Sequence, residues 1–141
     1  DRFTLSATYN YIDAKLREGE LKGTALTFIA DHSGSVRAHY RHDEHWSGYI
    51  EGLGVSDRLF GGDFDHAFTA LPGYMVGNLS LSYQHEQFRL SLRLNNLLNE
   101  KYSDAGNIGF DFRQPFPSPQ RETFFPAPGR NLMLSVQYNY R

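Results

Sequence analysis

The sequence predicts an all-β chain, a segment of an antiparallel transmembrane β-barrel with about six strands. Three observations predict it. Apolar and polar residues alternate with a period of two, the period of a pleated strand whose successive side chains leave on opposite faces. Short polar turns alternate with long loops. Aromatic residues collect where the strands meet the short turns.

The clearest element is the hairpin within Leu71–Tyr102. Gly77, Leu79, Leu81 and Tyr83 face one way, and Asn78, Ser80, Ser82 and Gln84 the other. After the turn His85-Glu86-Gln87, Phe88, Leu90, Leu92 and Leu94 alternate with Arg89, Ser91, Arg93 and Asn95. Upstream, a first strand is expected from Phe3 to about Leu16, with Phe3, Leu5, Ala7, Tyr9 and Tyr11 on its apolar face. A second strand sets Gly34, Val36, Ala38 and Tyr40 against Ser33, Ser35, Arg37 and His39, and ends in the charged turn Arg41–His45. The third, from Trp46 towards Leu59, alternates poorly. One phase puts Glu51 among Tyr49, Leu53 and Val55; the other is heavy in glycine; a bulge or kink at Gly52 or Gly54 reconciles them. Its phase stays open. Ser103–Arg130, with five prolines, is expected to be the longest irregular stretch. The last strand, Asn131–Tyr140, carries Leu132, Leu134, Val136, Tyr138 and Tyr140 on one face.

Short turns at Arg41–His45 and His85–Gln87 lie at one end, and long loops at Asp13–His32, Phe60–Gly73 and Ser103–Arg130 at the other. Outer-membrane barrels show this asymmetry, with short periplasmic turns and longer outer loops. Tyr40 and Trp46 flank one short turn, Tyr83 and Phe88 the next, and Tyr138 and Tyr140 end the last strand at that level. Amphipathic rings favour the headgroup layer, so this reads as an aromatic girdle, with Tyr9, Tyr11, Tyr74 and Tyr102 supplying the opposite one.

Bulk properties narrow the function classes. A net charge of −2 provides no electrostatic footprint for nucleic acid. The absence of Cys removes disulfides and thiolate metal sites. Mean hydropathy of −0.54 and the lack of a long apolar run argue against a transmembrane helix but not against a barrel. The start at Asp1, with neither an initiating Met nor a signal peptide, leads us to expect a processed or excised piece.

The run Asn95-Asn96-Leu97-Leu98-Asn99-Glu100-Lys101-Tyr102 resembles the N-L-x-(D/N)-x-x-Y signature of TonB-dependent outer-membrane receptors. Leu71-Pro72-Gly73-Tyr74 resembles the entry to an earlier strand in that family, and Pro128-Gly129-Arg130-Asn131 its C-terminal region, in the family's order. The resemblance covers essentially the whole chain. It implies the final strands of a plugged barrel of about 22 strands, with the plug domain and earlier strands outside these residues. It further implies a bacterial outer-membrane location and TonB-driven import of a ferric siderophore, haem or a similar chelate as transported ligand, with no covalently bound cofactor. The partners it implies are lipid, the remaining strands and plug (on the same or a companion chain), and TonB through an N-terminal region.

In that reading Arg37, Arg89, Arg93 and Asn95 face the lumen, since an arginine on the lipid face costs about 2–4 kcal/mol at the midplane. The loop Ser103–Arg130 combines Phe110, Phe112, Phe116, Phe124 and Phe125 with Arg113 and Arg121, a set suited to an anionic, ring-bearing ligand. Self-packing of the loop explains it equally well. Arg58, Phe60 and His66 are weaker candidates for the same mouth. His39, His42 and His45 beside Asp43 and Glu44 read as a solvated turn, so no metal site is assigned. No catalytic set emerges, and no enzymatic activity is expected. Two other readings stay open: a soluble β-sandwich ligand-binding module, and a structural outer-membrane barrel assembled from several copies.

Overall fold

The computed structural model describes residues 2–140. Eight strands follow one another, β1 (Phe3–Tyr11), β2 (His32–Arg41), β3 (Trp46–Val55), β4 (Tyr74–His85), β5 (Phe88–Asn95), β6 (Ser103–Phe110), β7 (Gln120–Pro126) and β8 (Asn131–Tyr138). Six form one antiparallel sheet in the order β1-β2-β3-β4-β5-β8, and β6 and β7 form a separate hairpin. Each wall strand pairs with its neighbour in sequence, apart from β8, which pairs with β5 because the β6–β7 hairpin is inserted between them. No residue of the described chain pairs with the outer edges of β1 and β8.

The registers divide the sheet into two chemically distinct faces. One continuous row runs Phe3, Tyr40, Gly48, Leu81, Leu92, Leu134, and the next runs Leu5, Ala38, Ile50, Leu79, Leu94, Leu132. No Asp, Glu, Lys or Arg occurs on this face within the six strands. Its side chains are exposed, Leu134 by 66% and Ile50 by 53%. A soluble sandwich would bury that face against a second sheet, whereas here strands contact only their sheet neighbours. Among the described residues only Phe60, Leu71 and Val76 make up the buried apolar core, and they lie at the long-loop end and on the inner face. Among the described residues no helix is long and apolar enough to cross a membrane, which says nothing of a β-barrel.

Three of the expected elements need correction. β1 stops at Tyr11 rather than near Leu16, because the following residues turn into a loop whose Leu16 and Leu26 amides bond across it to Thr24 and Ala14. β3 has neither bulge nor kink, and its register is unbroken on both sides. Glu51 belongs to the polar face because Arg37 and Asn78 both donate to it; the outward face keeps the glycines. Gly48 needs to be small there, since a Cβ would lie 2.7 Å from the Ser80 carbonyl oxygen. Ser103–Arg130 contains the β6–β7 hairpin, which lacks an apolar period of two and is held from outside itself. The Gly61 amide donates to Gly106 O (2.8 Å) and Gly61 O accepts from the Ile108 amide (2.8 Å), while Phe60 packs beneath Gly106.

The short-turn girdle forms as pairs, Trp46 with Tyr83 and Phe88 with Tyr138, each with centroids 4.8 Å apart. At the other end Tyr9 and Tyr11 lie on the apolar face, and the Tyr9 hydroxyl bonds His32 Nδ1 at 2.8 Å. Tyr74 and Tyr102 do not join that girdle. Tyr74 is in register with Val55 on the polar face and packs at a tilt against Tyr102, centroids 4.1 Å apart, with its hydroxyl donating to Asp104.

Candidate functional site

Three segments singled out in the sequence meet in one knot at the long-loop end. Asn96 and Asn99 adopt left-handed backbone angles, φ 51° and 54°, which asparagine tolerates better than most residues. Asn96 is only 4% exposed. Its Oδ1 accepts the Glu100 amide at 2.8 Å, and its Nδ2 donates to the carbonyls of Glu100 (2.9 Å) and Pro128 (3.4 Å). Asn99 Oδ1 accepts the Arg130 amide at 2.9 Å. Across the knot Leu71 is buried, and Gly73 leaves no room for a side chain, since a Cβ there would lie 2.6 Å from Val55 O. Tyr102 packs at a tilt against Tyr74; burial, with the Asp104 carboxylate, pushes its phenol above the ordinary range. The knot turns the chain out of β5 into the hairpin and back into β8.

Beyond it stands the β6–β7 hairpin. Phe110, Asp111, Arg113, Arg121 and Phe124 line a cleft of about 550 Å³. Asp111 went unnoticed in the sequence, although its position between Phe110 and Arg113 was a signal. It accepts from Arg121 Nη1 at 2.9 Å and from the Arg113 amide at 3.2 Å, and these bonds hold its carboxyl below the usual aspartate range. Phe112 and Phe116 project from the tip, Phe116 being 95% exposed. Phe125 is also exposed.

Arg58 and Phe60 fall elsewhere than the sequence reading expected. Phe60 is 1% exposed and meets Phe124 edge-on at 5.3 Å, so it supports the hairpin from beneath. Arg58 is buried, donates to the carbonyls of Ser103 and Asp104, and lies over the Tyr74 ring. Neither offers a surface to a ligand. His66 lines a separate cavity of about 230 Å³ with Asp31 and Asp57.

Arg37, Arg89, Arg93 and Asn95 all fall on the polar face of the six-stranded sheet. Arg37 pairs with Glu51 and lies 4.7 Å over the Tyr49 ring. Arg89 donates to Gln84 Oε1, and Asn95 to Asn131 Oδ1 at 2.9 Å. The histidines separate: His39 is on β2, while His45 stacks against Tyr83 and His85. In the turn between β2 and β3, Asp43 accepts the amides of Trp46 and His45, which holds its carboxyl below the ordinary value.

The chain superposes on large receptors of known structure. The siderophore receptor PiuA from Acinetobacter baumannii matches with a TM-score of 0.72 at 17% identity, over 99% of this chain and 20% of that one. The ferric-catecholate import receptor Fiu from E. coli K12 matches at 0.73 and 16% identity, over 99% and 19%. The ferric yersiniabactin uptake receptor FyuA from Yersinia pestis matches at 0.75 and 15%, over 99% and 21%. At these identities the likeness establishes the fold, and the chain spans about a fifth of their length. No curated protein sequence matches. The family model described as TonB dependent receptor-like, beta-barrel, matches residues 2–97. With its two-faced antiparallel wall, its aromatic rows and the asparagine knot, the chain belongs to the TonB-dependent receptor β-barrel family.

Proposed function

We propose that this chain is the C-terminal part of the wall of a bacterial outer-membrane receptor that imports a ferric siderophore or similar metal chelate, driven through TonB. The observation that carries the reading is the uncharged outer face, bounded by aromatic rows, on a chain of this family. Lipid covers that face. The remaining strands, on the same or a companion chain, pair with the edges of β1 and β8 and relieve their unpaired backbone groups. The polar face, with Arg37, Arg89, Arg93 and Asn95, looks into the lumen towards a plug domain. Family membership makes the chain part of a receptor, not an enzyme.

At the outer mouth, Phe110, Phe112, Arg113, Phe116, Arg121 and Phe124 form the ligand-facing surface of this segment, with rings for the apolar part of a chelate and guanidinium groups for its negative charge. That the solved neighbours are named as siderophore and ferric-catecholate receptors supports this choice of ligand. The test is uptake of radioactive iron by iron-starved cells carrying the complete receptor, supplied with a panel of ferric chelates. Accumulation of one chelate, abolished by a protonophore or by loss of TonB, supports the reading. Passage of all small solutes, insensitive to both treatments, refutes it in favour of a passive pore.

A further inference from the structure

The polar face is far more cationic than the chain. Its overall net charge is −2, yet the inward positions of the six strands carry Arg37, Arg41, Arg89 and Arg93 against one carboxylate, Glu51. These charges are ordered. Glu51, opposite Arg37, also neighbours Asn78 in the first charged row, two uncharged rows (Ser35-Leu53-Val76 and Ser33-Val55-Tyr74) below the long-loop end. The next row holds Tyr49, Ser80 and Arg93. The third is Arg41, Ser47, Ser82, Ser91, Ser135, and the last pairs Gln84 with Arg89 and Gln137. A guanidinium group therefore stands in each of four successive rows, the rows being about 7 Å apart along the strands and the arginines alternating between β2 and β5, three strands or about 14 Å across the sheet.

The series ends in an open cleft of about 800 Å³ at the short-turn end, lined by Arg2, Arg41 and Arg89 with Ser47 and Ser82. The serine row makes the cleft roomy, because small hydroxyls stand where longer side chains would fill it. Asp43 and Glu44 also line it, but Asp43 is engaged by the turn's own amides. Among the described residues, no carboxylate forms an ion pair with Arg41, Arg89 or Arg93. The volume is that of a small-molecule site, about 300–1,000 Å³, which a single carboxylate side chain would not require.

We propose that this inner wall is a track for an anionic solute. The guanidinium series guides it from the mouth, and the cleft between the β2–β3 turn and β5 is the last resting site before release. The inference rests on the import reading above, and it names the charge class of the cargo and its place of exit. Arginine outnumbers carboxylate four to one on the strands and three to two at the cleft; a wall with an excess of one sign raises the local concentration of the opposite charge, by about tenfold or more.

The chain has no cysteine, so Ser91→Cys reports the potential directly. In the complete receptor, with cysteines elsewhere replaced, the thiol is reacted with an anionic methanethiosulfonate bearing a sulfonate and a cationic one bearing trimethylammonium. Each rate is divided by that of free cysteine. The expected result is about a tenfold preference for the anionic reagent at low salt, fading at 1 M salt, where the screening length is about 3 Å. Arg41→Gln with Arg89→Gln should abolish the preference, and Arg41→Lys with Arg89→Lys should retain it, which separates charge from misfolding. No preference, or one unmoved by the glutamine pair, overturns the proposal. So does a thiol closed to both reagents, since a plug then covers the arginines. In iron uptake, the glutamine pair should slow import of an anionic ferric tris-catecholate several-fold without weakening its binding at the cell surface; equal import overturns the exit site. A receptor with the thiol preference but no energy-dependent iron import would sink the import reading alone and leave the anion-selective wall standing.

Discussion

Replacing Ile50 with arginine tests the orientation of the whole sheet. Ile50 lies between Ala38 and Leu79 on the uncharged face, four residues along β3 from Trp46 in the girdle. Four residues beyond it, Gly54 continues the row that Gly34 shares with Tyr9. At about 3.4 Å per residue and a tilt near 40°, the two aromatic levels are about 21 Å apart, close to the ~25 Å height of an outer-membrane apolar band. Ile50 is then about 10 Å from either level, at the midplane, where an arginine costs about 2–4 kcal/mol. His39, between Thr4 and Tyr49 on the opposite face and one residue from Ile50's row, is the control. His39→Arg projects into the lumen and should cost less than about 1 kcal/mol. The assay is guanidinium titration of the complete receptor in phospholipid vesicles, with the folded fraction read by heat-modifiable migration. Equal costs, or a larger cost for His39→Arg, would refute the assignment of faces.

Three further outcomes follow from the knot and the hairpin. Asn96→Ala removes one acceptor and two donors from a buried turn, and should cost about 2–3 kcal/mol, with faster amide exchange at Glu100 as the direct readout. Gly73→Ala drives a Cβ against the backbone of Val55 and Ser56, which cannot swing aside, and should cost about 1–3 kcal/mol; a neutral result in the same titration would show that the chain entering β4 can shift. Asp111 has a depressed folded-state pKa, so its contribution to the hairpin tip is fully present above the unfolded aspartate value of about 4 and is lost as pH falls through the lower folded value. Amide exchange at Arg113 should therefore quicken in acid in the native protein and be fast and less pH-dependent, after correction for intrinsic exchange, in Asp111→Asn.

Strand identity and facing were written in local sequence wherever a strand has one greasy and one wet side. Leu79–Tyr83 and Phe88–Leu94 alternate because lipid and lumen make opposite demands on neighbouring residues, and no distant partner is needed to see it. Motif spacing likewise marked the three segments of the knot, but not the bonds from Asn96 to Glu100 and Pro128 that explain their company. Where pattern failed, a contact from far along the chain decided. Glu51 blurred the phase of β3 until Arg37 and Asn78 came beside it. The β6–β7 hairpin lacks a period of two because one side rests on Gly61 and Phe60. Arg58 and Phe60 looked like mouth residues because composition counts chemistry, while burial depends on what folds over it. The row-by-row order of the arginines is of the same kind. Sequence by itself determined that the chain is a two-faced antiparallel wall with unequal ends; tertiary structure alone decided which charges share a row, because register between strands is set by pairing across the sheet and not along the chain.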